Sequence, residues 1–207
     1  MFLTTLNILT LLSLTSAFPS PPHLFARQAD PVAQLIAIAP TSGSCANAPF
    51  PAECATASQA VGPLISSFAQ YQITTAAEQA ALLSWMAFES ADFKYNHNVY
   101  PGVPGQGCRN MMSPTFVKEY AASIPAVSAQ AAALTDPAAI LALVQPDQYS
   151  FAAGAWFLST QCSAAVRAQL QTGTLAGWQG WITGCVQTTV TPARQDYWTR
   201  AVAALGV

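Results

Sequence analysis

The stretch TAAEQAALLSWMAFESADFKYN, residues 75–96, decides how the rest of the chain is read. Thr75 followed by Glu78 has the form of a capping box, in which each side chain accepts a hydrogen bond from the other residue's backbone N–H at the start of a helix. The Ala- and Leu-rich run behind it holds no Gly or Pro before residue 90, so a helix is expected over 75–90. At 3.6 residues per turn, Leu82, Trp85, Met86 and Glu89 share one stripe. That stripe sets a carboxylate among apolar side chains in a chain with only 8% charged residues. Withdrawing a carboxyl from water favours its protonated form, the form a general acid must hold, and Glu89 is therefore the first candidate for chemistry. Its plainer alternative is a solvated glutamate in the last turn of a helix.

The same boundary signals recur outward from this helix. Asp136-Pro137 and Thr191-Pro192 each put a capping side chain before a proline suited to the first helical position, and Gly173 and Gly206 stand where helices would stop. Helices are expected near 56–70, 75–90, 114–122, 137–145, 149–160, 163–172, 174–186 and 192–205, which makes the fold class mainly α. The stretch FKYNHNVYPGVPGQGCRN, residues 93–110, breaks the helical period with Pro-Gly and Gly-x-Gly punctuation and reads as a short β-hairpin or a long ordered loop after the helix that carries Glu89.

Residues 1–17, MFLTTLNILTLLSLTSA, form an apolar run that ends in small residues and read as a signal peptide. Residues 18–27, Pro-rich and closed by Arg27, read as a pro-segment or disordered arm, which leaves 28–207 as a single domain. A secreted, extracellular protein is expected. No stretch reaches about 20 continuous apolar residues, so no membrane span is expected. With a net charge of −2 and no basic stripe, nucleic acid is not expected as a partner, since counterion release could supply little affinity. An oxidising compartment favours pairing among the 5 cysteines. Local spacing points to Cys45 with Cys54 and Cys162 with Cys185, leaving Cys108 free. With 2 histidines, His23 and His97, and no C-x-x-C, a zinc site has little to be built from, and neither metal nor cofactor is expected.

AFESADFKYN, residues 87–96, followed by GQGCRNMMSPTFVKEYA, residues 105–121, resembles the lysozyme superfamily: a helix ending in Glu-Ser, a loop or hairpin, then a glycine-centred motif leading into the next helix. The likeness is closest to small secreted fungal muramidase-type proteins, and extends through ECATASQAVGPLI, residues 53–65, and GCVQTTVTPARQDYW, residues 184–198. The resemblance implies an α+β lysozyme-like fold and a monomeric glycosidase that cleaves β-1,4 bonds of an aminosugar polysaccharide such as peptidoglycan or chitin. Glu89 would be its general acid, and Asp92 a second carboxylate or merely a turn residue. Substrate would be held by Tyr95, Asn96, Tyr100, Gln106, Arg109, Asn110 and Tyr149, with Asn98 helping to hold a water. His97 carries no catalytic weight in this reading. Lytic transglycosylation, chitin or chitosan hydrolysis, and a secreted carbohydrate-binding protein without catalysis stay open as alternatives.

Overall fold

The computed structural model describes residues 30–207. The segments read as a signal peptide and an arm, and His23, lie outside the described residues. The chain folds into helices α1 (Pro31–Ile38), α2 (Ala57–Gln70), α3 (Ala76–Glu89), α4 (Pro114–Ser123), α5 (Pro125–Ala133), α6 (Pro137–Val144), α7 (Asp147–Ser150), α8 (Ala153–Gln161), α9 (Ala164–Leu170), α10 (Leu175–Gly184) and α11 (Pro192–Leu205).

The capping signals hold in detail. Thr75 and Glu78 form the reciprocal box at the start of α3, Asp136 caps α6, Thr191 caps α11, and Gly206 ends α11 with a left-handed φ of 69°. Two helices lie outside the expected set. α1 opens on Asp30-Pro31, the same signature as Asp136-Pro137. α5 opens on Ile124-Pro125 without a side-chain cap and buries only Ala131, so it carries almost no apolar period to read. The helix expected over 149–160 is divided into α7 and α8, with Ala152 N–H bonding the Tyr149 carbonyl in a tightened turn between them.

The mainly α class stands, whereas the hairpin is not formed. Among the described residues the only β pairing is a pair of isolated antiparallel bridges, His97 with Gly107 and Gly107 with Met112. Gly102, Gly105, Cys108 and Met111 all take positive φ, which turns the backbone away before a ladder can extend.

α3 is the centre of the fold. Every residue from Ala77 to Ala87 is buried, the pattern of a helix enclosed on all sides, with α11 packed along it and α1, α8 and α9 around it. Trp85 meets Trp181 and Phe157 edge-on at 5.3 and 5.5 Å, and Trp178 stacks on Trp198 at 5.6 Å. Trp156 is also core. Glu78 is fully buried and has two roles: besides capping α3 it accepts from Arg167 Nε and Gln171 Nε2, which compensates the cost of its charge. Both expected disulfides form, Cys45–Cys54 and Cys162–Cys185, and Cys108 is free.

Candidate functional site

A cleft of about 540 Å³ opens where α3 ends. Trp85, Phe88 and Glu89 of α3, Phe116 of α4 and Phe157 of α8 line it, together with Tyr95, His97, Tyr100, Asn110, Met111 and Met112 of the long loop. Val186, Thr188 and Arg194 also line it. The volume is that of an ordinary small-molecule site, and most of the lining side chains are aromatic, aliphatic or thioether.

Glu89 does not stand alone in this apolar wall. Its Oε1 accepts from Arg194 Nη2 at 2.9 Å, and the two side chains are only 18% and 17% exposed. Arg194 is held in turn by Nη1 donating to the Thr189 carbonyl at 3.1 Å and by stacking over the Phe88 ring at 4.6 Å. Both charges stand at unfavourable helix ends. Glu89 is the last residue of α3, where the helix dipole is negative, and Arg194 lies in the first turn of α11, where it is positive. Each is stabilised by the other and not by its own helix. No protein group bonds the second oxygen of Glu89 among the described residues.

The loop behind Glu89 begins with three consecutive left-handed residues, Ala91, Asp92 and Phe93, at φ of 49°, 57° and 67°. Non-glycine residues rarely enter this region even singly, so the turn needs outside support. Ser90 supplies part of it: its Oγ donates to the Met86 carbonyl and accepts from Phe93 N–H. Asp92 supplies more, accepting from Thr41 N–H, Thr41 Oγ1 and Tyr197 Oη, each at 2.8 Å. Arg109, 1% exposed, donates to the Phe93 and Tyr95 carbonyls and pairs with Asp147 while lying over the Phe151 ring. Burial pulls its pKa below the ordinary guanidinium value, and Asp147 opposes that shift.

The residues singled out from sequence therefore divide. Glu89, Tyr95, Tyr100, Gln106 and Asn110 line the cleft, and so does Asn98. Asp92, Asn96, Arg109 and Tyr149 do not. Asp92 is buried and saturated with donors, Asn96 exchanges hydrogen bonds with Gln145, and Tyr149 gives its carbonyl to the Tyr120 hydroxyl. Asn110 is 2% exposed, and neither atom of its amide has a protein partner. Cys108 is fully buried, and burial pushes its thiol up to about 12, so it is held as the unreactive thiol and not beside the cleft.

Sequence reading gave His97 no weight and did not single out Glu53, yet the structure pairs them. His97 Nδ1 lies 2.5 Å from Glu53 Oε1, and the other Glu53 oxygen accepts from Asn96 N–H at 2.9 Å. The imidazole meets the Phe50 ring edge-on at 4.9 Å. Glu53 precedes Cys54, and the disulfide to Cys45 fixes the segment that presents it. That adjacency was the available signal, but 44 residues separate the partners. Among the described residues, no group of three or more His, Cys, Asp and Glu side chains could hold a metal ion.

No family model matches the chain, and no solved structure matches it. The chain is similar to a bifunctional dioxygenase (DOX)-epoxy alcohol synthase (EAS) of Fusarium oxysporum (strain Fo5176), with 42% identity over 157 residues, covering 72% of this chain. The chain spans only 12% of that protein's length. This similarity corrects the readings drawn from the lysozyme resemblance. The alignment leads to a protein named for oxygen chemistry, so the lysozyme-superfamily assignment, the muramidase or other glycosidase activity and the aminosugar-polysaccharide partner do not stand. The resemblance had rested on short motifs, and the structure shows that several of their residues build the loop without reaching the cleft.

Proposed function

We propose that this domain is a binding module for an oxygenated apolar molecule, one with an apolar skeleton bearing hydroxyl or epoxide oxygens. The observation that carries this reading is the cleft itself: aromatic and thioether side chains from Trp85, Phe88, Phe116, Phe157, Met111 and Met112 lie beside polar groups at Glu89–Arg194, His97, Asn98, Gln106, Asn110, Ser113 and Thr188. Such a site binds through apolar area and orients its ligand through the few polar contacts. The name of the larger relative supports the choice of ligand, since it describes a protein that makes an epoxy alcohol. No step of oxygen chemistry is assigned to these residues.

Calorimetric titration tests the reading. A long-chain epoxy alcohol should bind saturably, the unoxygenated parent alkene about tenfold more weakly, and Trp85→Ala should weaken the epoxy alcohol by about tenfold or more. Absence of saturable binding, or equal affinity for the alkene, overturns the proposal. Secretion belongs to the same proposal: the two disulfides and the apolar leader favour an oxidising compartment, and residue 18 should be the first residue of the exported protein if the leader is cut there.

A further inference from the structure

We propose that Nε2 of His97 is the acceptor for a hydroxyl of the bound ligand, with Glu53 as the positioning residue that sets the imidazole tautomer; this rests on the binding reading above and adds what the ligand must present. A carboxylate can only accept, so at the Glu53 contact the hydrogen belongs to Nδ1 of His97. In a neutral imidazole the other nitrogen is then an acceptor with its lone pair directed outward. Both oxygens of Glu53 are committed: one faces the ring, and the other is occupied by the Asn96 N–H of the same loop. Phe50 holds the ring from the side.

Other polar side chains of this wall are only partly engaged: Asn98 Nδ2, Gln106 Oε1 and the hydroxyls of Tyr95, Tyr100, Ser113 and Thr188 have no protein partner among the described residues, whereas one atom of each amide is held by the loop. Asn98 Oδ1 accepts from Gly102 N–H and Val103 N–H, and Gln106 Nε2 donates to the Met111 carbonyl, so both amides serve the loop. Nε2 of His97 has no protein partner among the described residues, and the ring is 29% exposed on a cleft-lining residue. With its hydrogen on Nδ1, the ring presents Nε2 as an acceptor beside the aromatic part of the cleft, and that acceptor favours a donor. The class of ligand that fits is an alcohol, and a ketone or methyl ether of the same skeleton would set lone pair against lone pair.

Calorimetric titration with a matched alcohol and ketone tests this. The unaltered protein should prefer the alcohol by about tenfold, the value of one partly exposed hydrogen bond plus the mismatch of its replacement. His97→Phe should remove the preference, weakening the alcohol and relieving the lone-pair mismatch of the ketone. Glu53→Gln should reduce the preference, because an amide can accept from or donate to the ring. Nitrogen NMR of the His97 ring gives a readout that a merely structural role of Glu53 would not move: a single Nδ1–H tautomer in the unaltered protein and a mixture in Glu53→Gln. Equal binding of alcohol and ketone by the unaltered protein overturns the inference and leaves the binding module standing. So does an Nε2–H tautomer there, and neither measurement depends on a variant folding. Failure of both ligands to bind overturns the binding module as well.

Discussion

Removing Arg194 should reverse the sign of a second substitution at Glu89. In the intact protein Glu89 and Arg194 pair at 2.9 Å with about a sixth of each side chain exposed, between the regimes of surface and buried ion pairs. Arg194→Met keeps much of the stem but loses the pair, the Thr189 bond and the stacking on Phe88, for a cost of about 2–3 kcal/mol. Glu89→Gln in the intact background keeps an acceptor for Arg194 and should cost about 1 kcal/mol. In the Arg194→Met background Glu89 is a lone charge at the negative end of α3, and replacing it with Gln should stabilise by about 0.5 kcal/mol. The coupling is the difference between those effects, about 1.5 kcal/mol, and should fall in high salt less than a surface pair would. Urea unfolding followed by tryptophan fluorescence measures all four proteins, with an unchanged m-value as the check that the unfolding transition is comparable. Glu89→Gln with the same sign and size in both backgrounds refutes the argument that each charge is held by the other.

Two further outcomes follow from buried groups. Burial raises the Cys108 thiol from 9.0 to about 12, so folding favours its protonated form. That contribution is complete below pH 9 and is lost as pH rises toward 12, with a slope of up to about 1.4 kcal/mol per pH unit, and Cys108→Ala should flatten the fall by one proton in unfolding curves taken across this window. Tyr197→Phe deletes one of the three donors to Asp92 and should cost about 1 kcal/mol, while Asp92→Asn, which tolerates the left-handed backbone, should cost about 1–3 kcal/mol; ligand affinity in both should change less than in Trp85→Ala, since neither side chain lines the cleft.

The helices were legible because their signals are local. Thr75 with Glu78, Asp136 with Pro137 and Thr191 with Pro192 each act within one turn, and placing them needs no tertiary knowledge. α1 carries the same legible signal at Asp30-Pro31, whereas α5, exposed and alanine-rich, offers little beyond propensity. The cleft was half legible. Glu89 stands out through its apolar stripe, but its partner Arg194 lies 105 residues away, and nothing in the local pattern reveals that the charge is paired. Glu53 and His97 escape sequence reading for the same reason. The left-handed run at 91–93 contains no glycine, so the usual sign of positive φ is absent, and the support comes from Thr41, Tyr197 and Arg109 in distant segments.

The residues that prompt a familiar enzyme reading are, for the most part, the ones that shape backbone. Ser90 ties the end of α3 to the turn, Asp92 anchors that turn to Thr41 and Tyr197, and Arg109 collects the Phe93 and Tyr95 carbonyls. Gly107 is required by space: a Cβ there would collide with the Asn96 carbonyl oxygen and press on Leu141. A pattern built from such residues specifies how a loop is folded over the end of a helix, and that geometry can serve different chemistries. What a cleft does is set by the side chains left free after the frame is satisfied. Here those include the second oxygen of Glu89, the amide of Asn110, Nε2 of His97 and Oε1 of Gln106, set among Trp85, Phe88, Phe116 and Phe157. A wall in which aromatic faces alternate with unspent polar atoms selects a ligand by the number and position of its oxygens, and the choice between alcohol and ketone tests that directly.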